Sequence, residues 1–182
     1  MSALIRPAEL SDASAFAAIY APYTATPITF ESRAPSAADF ETRIRAVTAA
    51  YPWLAAEEDG RVVGYAYAHR LREREAYDWE AELSVYLDAA HTGRGAGTAL
   101  YAALMDMLSA QGVATAWACL VPPNAPSEAL HVKCGFTFAG DWENVGWKCG
   151  AWHGIRWYRK QLLPSGEPPR PFIPYPELCK CK

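Results

Sequence analysis

The 182-residue chain lacks the features that mark membrane and nucleic-acid-binding proteins. No apolar run approaches the roughly 18–20 residues that a membrane-spanning helix needs. Its 17 Lys and Arg residues are outnumbered by 20 Asp and Glu, so there is no basic excess to attract a nucleic acid. The first residues, MSALIRPAEL, lack the apolar stretch of a signal peptide. We therefore expect a cytoplasmic protein whose partners include neither membrane nor nucleic acid.

The cysteines give no sign of a disulfide framework or a metal site. The chain has five cysteines, an odd number, and no recognisable export signal, which argues against a disulfide framework. The C-terminal CKCK brings Cys179 and Cys181 close together, but two thiols without further ligands are a weak metal signal, so no metal site is predicted. With 51% hydrophobic and 20% charged residues, the composition is that of one packed globular domain.

Apolar residues at helical spacing predict four helices. The first is predicted to follow Ser11 or Asp12 and the second Ser36, because these side chains are good N-caps. The third and fourth are predicted over 98–111, ending at Gly112, and over 127–134, capped by Ser127 and ending at Gly135.

Segments rich in β-branched and aromatic residues predict the strands of a sheet. Two of them form a hairpin over 53–70, because Asp59-Gly60 is a strong turn signal. The strands at 82–88 and 115–121 are joined through the third helix, and such a crossover favours a parallel pair. Two closing strands are predicted over 136–144 and 153–162.

The predicted order is helix, helix, hairpin, strand, helix, strand, helix and two strands, which indicates a mixed α+β domain over residues 1–163. The remaining segment, 164–182, holds six of the 14 prolines. Proline is excluded from sheet interiors and from helix interiors. We therefore predict an extended tail, either loose or laid along the surface.

Three glycines, at 93, 95 and 97, lie between the predicted strand at 82–88 and the helix that follows it. With Arg94 and Thr98 they offer successive backbone N–H groups, a positive helix end and a cation, a combination best suited to phosphate. The spacing fits neither a dinucleotide-binding glycine motif nor a P-loop, which needs Gly-Lys-Ser/Thr. From these residues alone, a flexible loop without a ligand is the alternative.

The segment TGRGAGTAL (92–100) resembles the acetyl-CoA pyrophosphate loop of the GNAT N-acetyltransferases, Q/R-x-x-G-x-G/A. Gly95 and Gly97 match its glycines, whereas Thr92 stands where Gln or Arg is usual. Four further segments resemble the phosphinothricin acetyltransferase branch, which acetylates phosphinothricin, methionine sulfoximine or sulfone, and some amino acids. They are ITFES (28–32), REREAYDWEAELSVYLD (72–88), PNAPSEALHVKCGF (123–136) and KCGAWHGIRWY (148–158).

The resemblance implies the GNAT fold, in which a mixed central sheet is splayed between two parallel strands that hold acetyl-CoA, with helices on both faces. It also implies acetyl-CoA as co-substrate, no metal, and a homodimer. By resemblance, the acetyl-CoA contacts fall on one strand, the glycine loop and the start of the last helix. They are Val85, Tyr86 and Leu87, then Gly93, Arg94, Gly95, Ala96, Gly97 and Thr98, then Asn124 and Ser127.

Acetyl transfer to an amine requires a group that removes the ammonium proton. The resemblance gives this role to Glu82, which shares a strand face with Ser84 and Tyr86; a solvent-facing glutamate is the alternative. A free Glu has a pKa of about 4.3 and an amine one of about 10, so we expect burial to raise the pKa of Glu82, or a water relay. By resemblance, His131 is the acid for the leaving thiolate, although water or a mere packing role for this histidine is the alternative.

The acceptor pocket is assigned by resemblance to Phe30, Arg74, Tyr77 and Ile155. An Arg grips an amino-acid carboxylate through two hydrogen bonds and leaves the amine free to react. The main prediction is therefore an N-acetyltransferase for a small amino-acid-like amine. Two alternatives stay open: a different amine, such as a polyamine, an aminoglycoside or a peptide N-terminus, and a non-catalytic acyl-CoA-binding regulator.

Overall fold

A computed structural model describes residues 3–164 and 169–180 of the chain. Seven strands form one sheet in the order β1-β2-β3-β4-β5-β7-β6. Only β4 and β5 run parallel within these described residues, and the other neighbouring pairs are antiparallel. The strands are β1 (Leu4–Pro7), β2 (Trp53–Glu58), β3 (Arg61–Arg70), β4 (Glu80–Leu87), β5 (Thr115–Leu120), β6 (Thr137–Lys148) and β7 (Ala151–Gln161).

Helices cover both faces of the sheet. One face of the sheet packs on the third helix through a core that includes Leu83 and Leu104. The other face packs on the first two helices, where the rings of Phe16 and Trp53 stack with their centroids 5.8 Å apart. The helices are α1 (Ala13–Tyr20), α2 (Ala37–Thr48), α3 (Ala96–Gln111), α4 (Ala125–Lys133) and α5 (Tyr175–Lys180). In the part of the chain that the structure describes, no helix combines the length and the apolar character needed to cross a membrane.

The predicted mixed fold is confirmed, and so are most of its local signals. The residues of the β2–β3 turn, Asp59 and Gly60, have φ values of 49° and 75°, as the tight hairpin turn requires. Ser36 caps α2 and accepts a hydrogen bond from the Asp39 amide at 3.2 Å. Gly112 ends α3 with φ of 94°, in the left-handed region.

Asp12 occupies the predicted N-cap position of α1, but its side chain does not cap the helix. Asp12 is the last residue of a short 3-10 turn, and its carboxylate makes no cap hydrogen bond to α1. It instead accepts two 2.8 Å hydrogen bonds from the Arg6 guanidinium and one from the Glu9 amide. The carboxylate is thus used to join β1 to the turn, and the Ser11 hydroxyl donates to Glu9 rather than capping the helix.

The prediction that the proline-rich segment 164–182 is an extended tail is wrong for its last described residues. The described part of this segment ends in α5, where Pro176 is the second residue, and the first turn of a helix tolerates proline because its N–H has no partner there. The preceding residues lie along the surface, as expected: the Ile173 amide donates to the Gln111 carbonyl at 2.8 Å. The predicted boundary at 163 stays a prediction, and Cys181 lies outside the described residues.

The parallel pair β4–β5 diverges toward one end of the sheet. Its pairing runs from Glu80 with Thr115 to Leu83 with Ala118, whereas β4 continues to Leu87. The second half of β4 therefore presents a backbone edge next to β5. This splay positions the candidate site.

Candidate active site

A cavity of about 520 Å³ opens where β4 and β5 separate. Its walls are the second half of β4, the glycine loop with the start of α3, the end of β5, and α4. Most of the predicted acetyl-CoA contacts line it, together with the predicted acid: Val85, Tyr86, Leu87, Gly93, Gly95, Gly97, Thr98, Asn124, Ser127 and His131. The structure places the other two residues of the loop, Arg94 and Ala96, outside these walls.

The glycine loop is shaped by its backbone angles. Gly93 and Gly95 have φ of 74° and 96°, in the left-handed region that side chains other than glycine rarely adopt. A Cβ added at either residue would meet no atom within 4 Å, so both backbones face open space. Gly95 is the N-cap of α3 and brings no side chain to satisfy the first amides of the helix. The loop is thus an open cradle at the positive end of a 16-residue helix, suited to a phosphate.

Asn124 lines the cavity and is also the N-cap of α4. Its side-chain oxygen accepts the Ser127 amide at 3.3 Å, and α4 begins at Ala125. The predicted cap, Ser127, is therefore wrong, and Asn124 is the cap. Because asparagine is a strong N-cap residue, the sequence explains this local geometry.

His131 is buried and its tautomer follows from its partners. Nδ1 lies 2.6 Å from the Ser127 carbonyl, which can only accept, so Nδ1 carries the proton. Nε2 of the neutral ring is then an acceptor, and the hydroxyl of Tyr101, 3.1 Å away, donates to it. Burial lowers the pKa of His131, against the opposing effect of the Ser127 hydrogen bond. The neutral ring in this arrangement has no proton on Nε2.

Glu82 lies on β4, directly before Leu83, the first residue of this strand that lines the cavity. Its ladder partners are His69 on β3 and Trp117 on β5, so the three side chains leave the same face of the sheet. Burial raises the pKa of Glu82, and the nearby positive groups His69 and Arg72 act in the opposite direction. Its environment thus shifts its pKa in the direction that a general base for an amine needs.

The predicted acceptor residues are spread over three elements and do not line the cavity itself. Phe30 packs against the end of the β6–β7 hairpin, while its neighbour Ile28 does line the cavity. Arg74 and Tyr77 are exposed, at the start and end of the turn that precedes β4, and Ile155 is opposite Trp142 on the β6–β7 ladder.

Sequence reasoning missed several residues of the cavity wall. Tyr101 lies in the predicted third helix, but nothing in the sequence separates a core tyrosine from one that lines a cavity. Tyr23, whose hydroxyl donates to the Leu87 carbonyl at 2.7 Å, lies 64 residues away in sequence. Cys119 follows the last residue of β5 that pairs with β4, and burial raises the pKa of its thiol to about 12.

Over residues 3–164 and 169–180, no group of three or more His, Cys, Asp or Glu side chains is placed to hold a metal ion. The cavity and its surroundings offer backbone amides, the half-buried carboxylate of Glu82 and the His131–Tyr101 pair.

Comparison with known proteins points to one family. The family model of the acetyltransferase (GNAT) domain matches residues 5–157. The phosphinothricin N-acetyltransferase of Streptomyces viridochromogenes is 36% identical over 176 residues, 96% of this chain and 95% of that protein. The L-methionine sulfoximine/L-methionine sulfone acetyltransferase of Pseudomonas aeruginosa is 34% identical over 178 residues, 93% of this chain and 100% of that protein. Among solved structures, a GNAT superfamily phosphinothricin acetyltransferase from Sinorhizobium meliloti in complex with acetyl-CoA has a TM-score of 0.88 and 31% identity, with 97% of each chain covered.

The cavity fits the co-substrate of that family. The open space over Gly93 and Gly95 and the helix end behind them suit a pyrophosphate. The backbone edge of β4 beyond Leu83 suits an extended arm that carries amide groups. The chain belongs to the GNAT acetyltransferase family and is an acetyl-CoA-dependent N-acetyltransferase.

Proposed function

We propose that the enzyme acetylates the primary amine of a small amino-acid-like acceptor: phosphinothricin, methionine sulfoximine, methionine sulfone or a related L-amino acid. The names of the two relatives above support this acceptor class. A third relative, the L-amino acid N-acyltransferase MnaT of Escherichia coli, is 33% identical over 129 residues, 71% of this chain and 73% of that protein. The amine attacks directly in a ternary complex, with Glu82 as general base.

One observation carries the proposal: a single strand joins the cofactor site to the base. Residues 84–87 of β4 line the cavity, and Glu82 is two residues before Ser84 on the same strand face. Burial raises the pKa of Glu82, which brings its basicity closer to that of an amine. A base in this position is next to the end of the cavity where an acceptor amine must arrive.

Different groups of the site bind acetyl-CoA, donate to the thioester oxygen and remove the proton of the acceptor. Bound acetyl-CoA supplies the acetyl thioester. The amides at Gly95 and the start of α3 hold the pyrophosphate, and a backbone N–H of residues 85–87 donates to the thioester oxygen. Glu82 accepts a proton from the acceptor ammonium, directly or through a water molecule, and so frees the amine.

We propose that His131 acts on the leaving group through Tyr101. The imidazole accepts the hydrogen bond of the Tyr101 hydroxyl and keeps that hydroxyl at the cavity wall. There the hydroxyl donates to the departing thiolate, which is a stronger acceptor than a neutral imidazole. His131 is then a positioning residue, and the lowered pKa of its ring is consistent with that role.

The acceptor side is assigned to Phe30, Arg74, Tyr77 and Ile155. Arg74 is exposed and makes no ion pair within residues 3–164 and 169–180, so its guanidinium is available to a carboxylate. The turn that carries it is held by Arg70, which donates to the Glu73 carbonyl at 2.8 Å. A bidentate grip on the α-carboxylate would leave the amine directed at Glu82.

We further propose a cytoplasmic homodimer that uses the β6–β7 hairpin as its contact. Monomeric proteins rarely expose a large apolar patch, and a self-complementary contact would cover this one. The exposed apolar side chains of the hairpin are Phe138, Trp142, Val145, Trp147 and Trp152.

The test of the acceptor class is a thiol-release assay with a panel of amines. Methionine sulfone, phosphinothricin and common L-amino acids are expected to give saturable release of free CoA. Release with spermidine, an aminoglycoside or a peptide, and none with amino acids, would move the enzyme to another acceptor class. Binding of acetyl-CoA with no release for any amine would support the regulator.

A further inference from the structure

The end of the β6–β7 hairpin is fastened to a segment more than a hundred residues earlier. The ammonium of Lys148 donates to the carbonyl of Thr29 at 2.5 Å and to that of Glu31 at 2.7 Å. These two carbonyls flank Phe30. A single side chain therefore holds the backbone on both sides of a predicted acceptor residue.

The ring of Phe30 is held by a second residue of the same strand. A Cβ added to Gly146 would lie 2.5–2.9 Å from three atoms of the Phe30 ring, closer than any real Cβ contact. The φ of Gly146 is outside the left-handed region, so its backbone does not require glycine. Glycine is required at this position because the Phe30 ring leaves no room for a side chain.

The other side of the segment is tied to the helices. The Glu31 carboxylate accepts two hydrogen bonds from Arg43 of α2, at 2.8 and 2.9 Å. The Tyr20 hydroxyl of α1 lies 2.6 Å from the Thr29 hydroxyl. The segment is thus held between the helical layer and the hairpin, and its residue Ile28 lines the cavity.

We propose that Lys148 is a positioning residue for the acceptor: it fixes residues 29–31 and, with Gly146, sets the position of Phe30, two residues from Ile28 in the cavity wall. The inference rests on the proposed function, since the acceptor role of Phe30 comes from the family resemblance. Lys148 lies on β6, and the glycine loop and β4 hold acetyl-CoA without it. Loss of the Lys148 ammonium should therefore raise the KM for the acceptor and leave the KM for acetyl-CoA unchanged.

The test is Lys148→Met, which keeps the length of the side chain and removes the ammonium. We expect the KM for methionine sulfone to rise about tenfold, because both hydrogen bonds that fix residues 29–31 are lost, with the KM for acetyl-CoA unchanged. Lys148→Arg, which also donates to two acceptors, should restore part of the acceptor affinity. Lys160→Met is the matched control, because Lys160 on β7 donates to the Cys134 carbonyl at 2.7 Å, and its acceptor KM should stay at the wild-type value.

A double-mutant cycle separates positioning of Phe30 from a general structural effect. If Lys148 acts through Phe30, Lys148→Met should add little to the acceptor KM of Phe30→Leu. Gly146→Ala, which keeps the ammonium and displaces the ring, should raise the same KM. Additive effects in the cycle, an unchanged acceptor KM, or equal rises of both KM values would overturn the proposal.

These outcomes are distinct from a failure of the proposed function. If the wild-type enzyme acetylates a different amine and no amino acid, the acceptor class is wrong. The same variants measured with that amine still decide whether Lys148 positions the acceptor end of the cavity.

Discussion

The Tyr101 hydroxyl donates to Nε2 of His131 over 3.1 Å, and the Ser127 carbonyl fixes this direction by holding the proton of the ring on Nδ1. Tyr101→Phe removes the hydroxyl and keeps the aromatic ring. We expect kcat to fall while the KM for acetyl-CoA stays near wild type, because the lost donor serves the leaving thiolate. The buried Nε2 left without a partner should also cost about 1–3 kcal/mol of unfolding free energy.

The control for this variant is Tyr158→Phe. Tyr158 stacks on the His131 ring at 5.5 Å, but its hydroxyl donates to Glu128. This change removes a hydroxyl beside the same imidazole without touching its Nε2. A full kcat in Tyr101→Phe, measured by steady-state kinetics at saturating substrates, would exclude the hydroxyl from the reaction.

Glu82→Gln tests the base through the pH dependence of activity. The proposed mechanism needs the Glu82 carboxylate, and burial raises its pKa, so kcat/KM should fall as the pH drops through a value above the ordinary range of glutamate. The rate of the glutamine variant should be about 10²–10⁴-fold lower, and its kcat/KM should no longer fall at low pH. Glu80→Gln, two residues earlier on the same strand face, should keep the wild-type rate and the wild-type pH dependence. An unaltered pH–rate profile in Glu82→Gln would rule Glu82 out.

Glu82→Gln should lower activity without lowering stability. A raised pKa means that the folded state favours the protonated carboxyl of Glu82. That contribution to stability is complete at low pH and is lost as the pH rises through the raised pKa. At a pH above that raised pKa, where the wild-type side chain is a half-buried carboxylate, Glu82→Gln should therefore be at least as stable. Urea unfolding at pH 5 and pH 8 measures this difference.

Gly95→Ala tests the phosphate cradle, and the chain offers a matched control. Gly95 and Gly60 both have positive φ, and a Cβ at either meets no atom within 4 Å, so alanine imposes a similar backbone strain of about 1–2 kcal/mol at each. Only Gly95 lies in the cavity wall. Calorimetry should show weakened acetyl-CoA binding for Gly95→Ala and normal binding for Gly60→Ala. Equal affinities in the two folded variants would contradict the assignment of the loop.

Much of the fold follows from local signals in the sequence. The Asp59-Gly60 turn, the Ser36 cap and the Gly112 helix end each depend on a few neighbouring residues, and all three are as predicted. Strand β1 was missed, because four residues that end in proline carry no readable alternation and Leu4 points outward with 61% of its surface exposed. It is a strand because β2 pairs with it, which is a non-local cause.

In the candidate site, too, the features that depend on neighbouring residues could be predicted, and those that depend on distant residues could not. The glycine loop could be predicted because its backbone angles require glycine at positions close together in sequence. The partnership of Tyr101 with His131 could not, since it joins two helices 30 residues apart. The contact of Phe30 with Gly146 could not be predicted for the same reason, because it joins a segment before α2 to a strand near the end of the sheet domain.

Arg74→Ala tests whether the acceptor is held by its α-carboxylate. Loss of a charge-assisted pair removes very roughly 1.5–3 kcal/mol of binding, about ten- to a hundredfold in kcat/KM. The loss should be large for an amino acid and small for its amide, because only the acid offers two paired oxygens. The acid and the amide serve as internal controls for each other. Equal losses for both would mean that Arg74 does not bind the carboxylate.

Removal of exposed indoles tests the proposed dimer. Trp147 and Trp152 are 62% and 59% exposed, and their rings pack edge to face at 5.6 Å across the β6–β7 ladder. In a two-fold contact each indole would meet the same patch on a second copy, so a substitution acts twice. Trp147→Ser with Trp152→Ser should shift the mass measured by light scattering from dimer to monomer at micromolar concentration. Leu4→Ser, on β1 at the opposite edge of the sheet, removes an equally exposed side chain and should leave the dimer intact. A wild-type chain that scatters as a monomer would exclude the dimer, and a dimer that survives both changes would move the contact away from the hairpin.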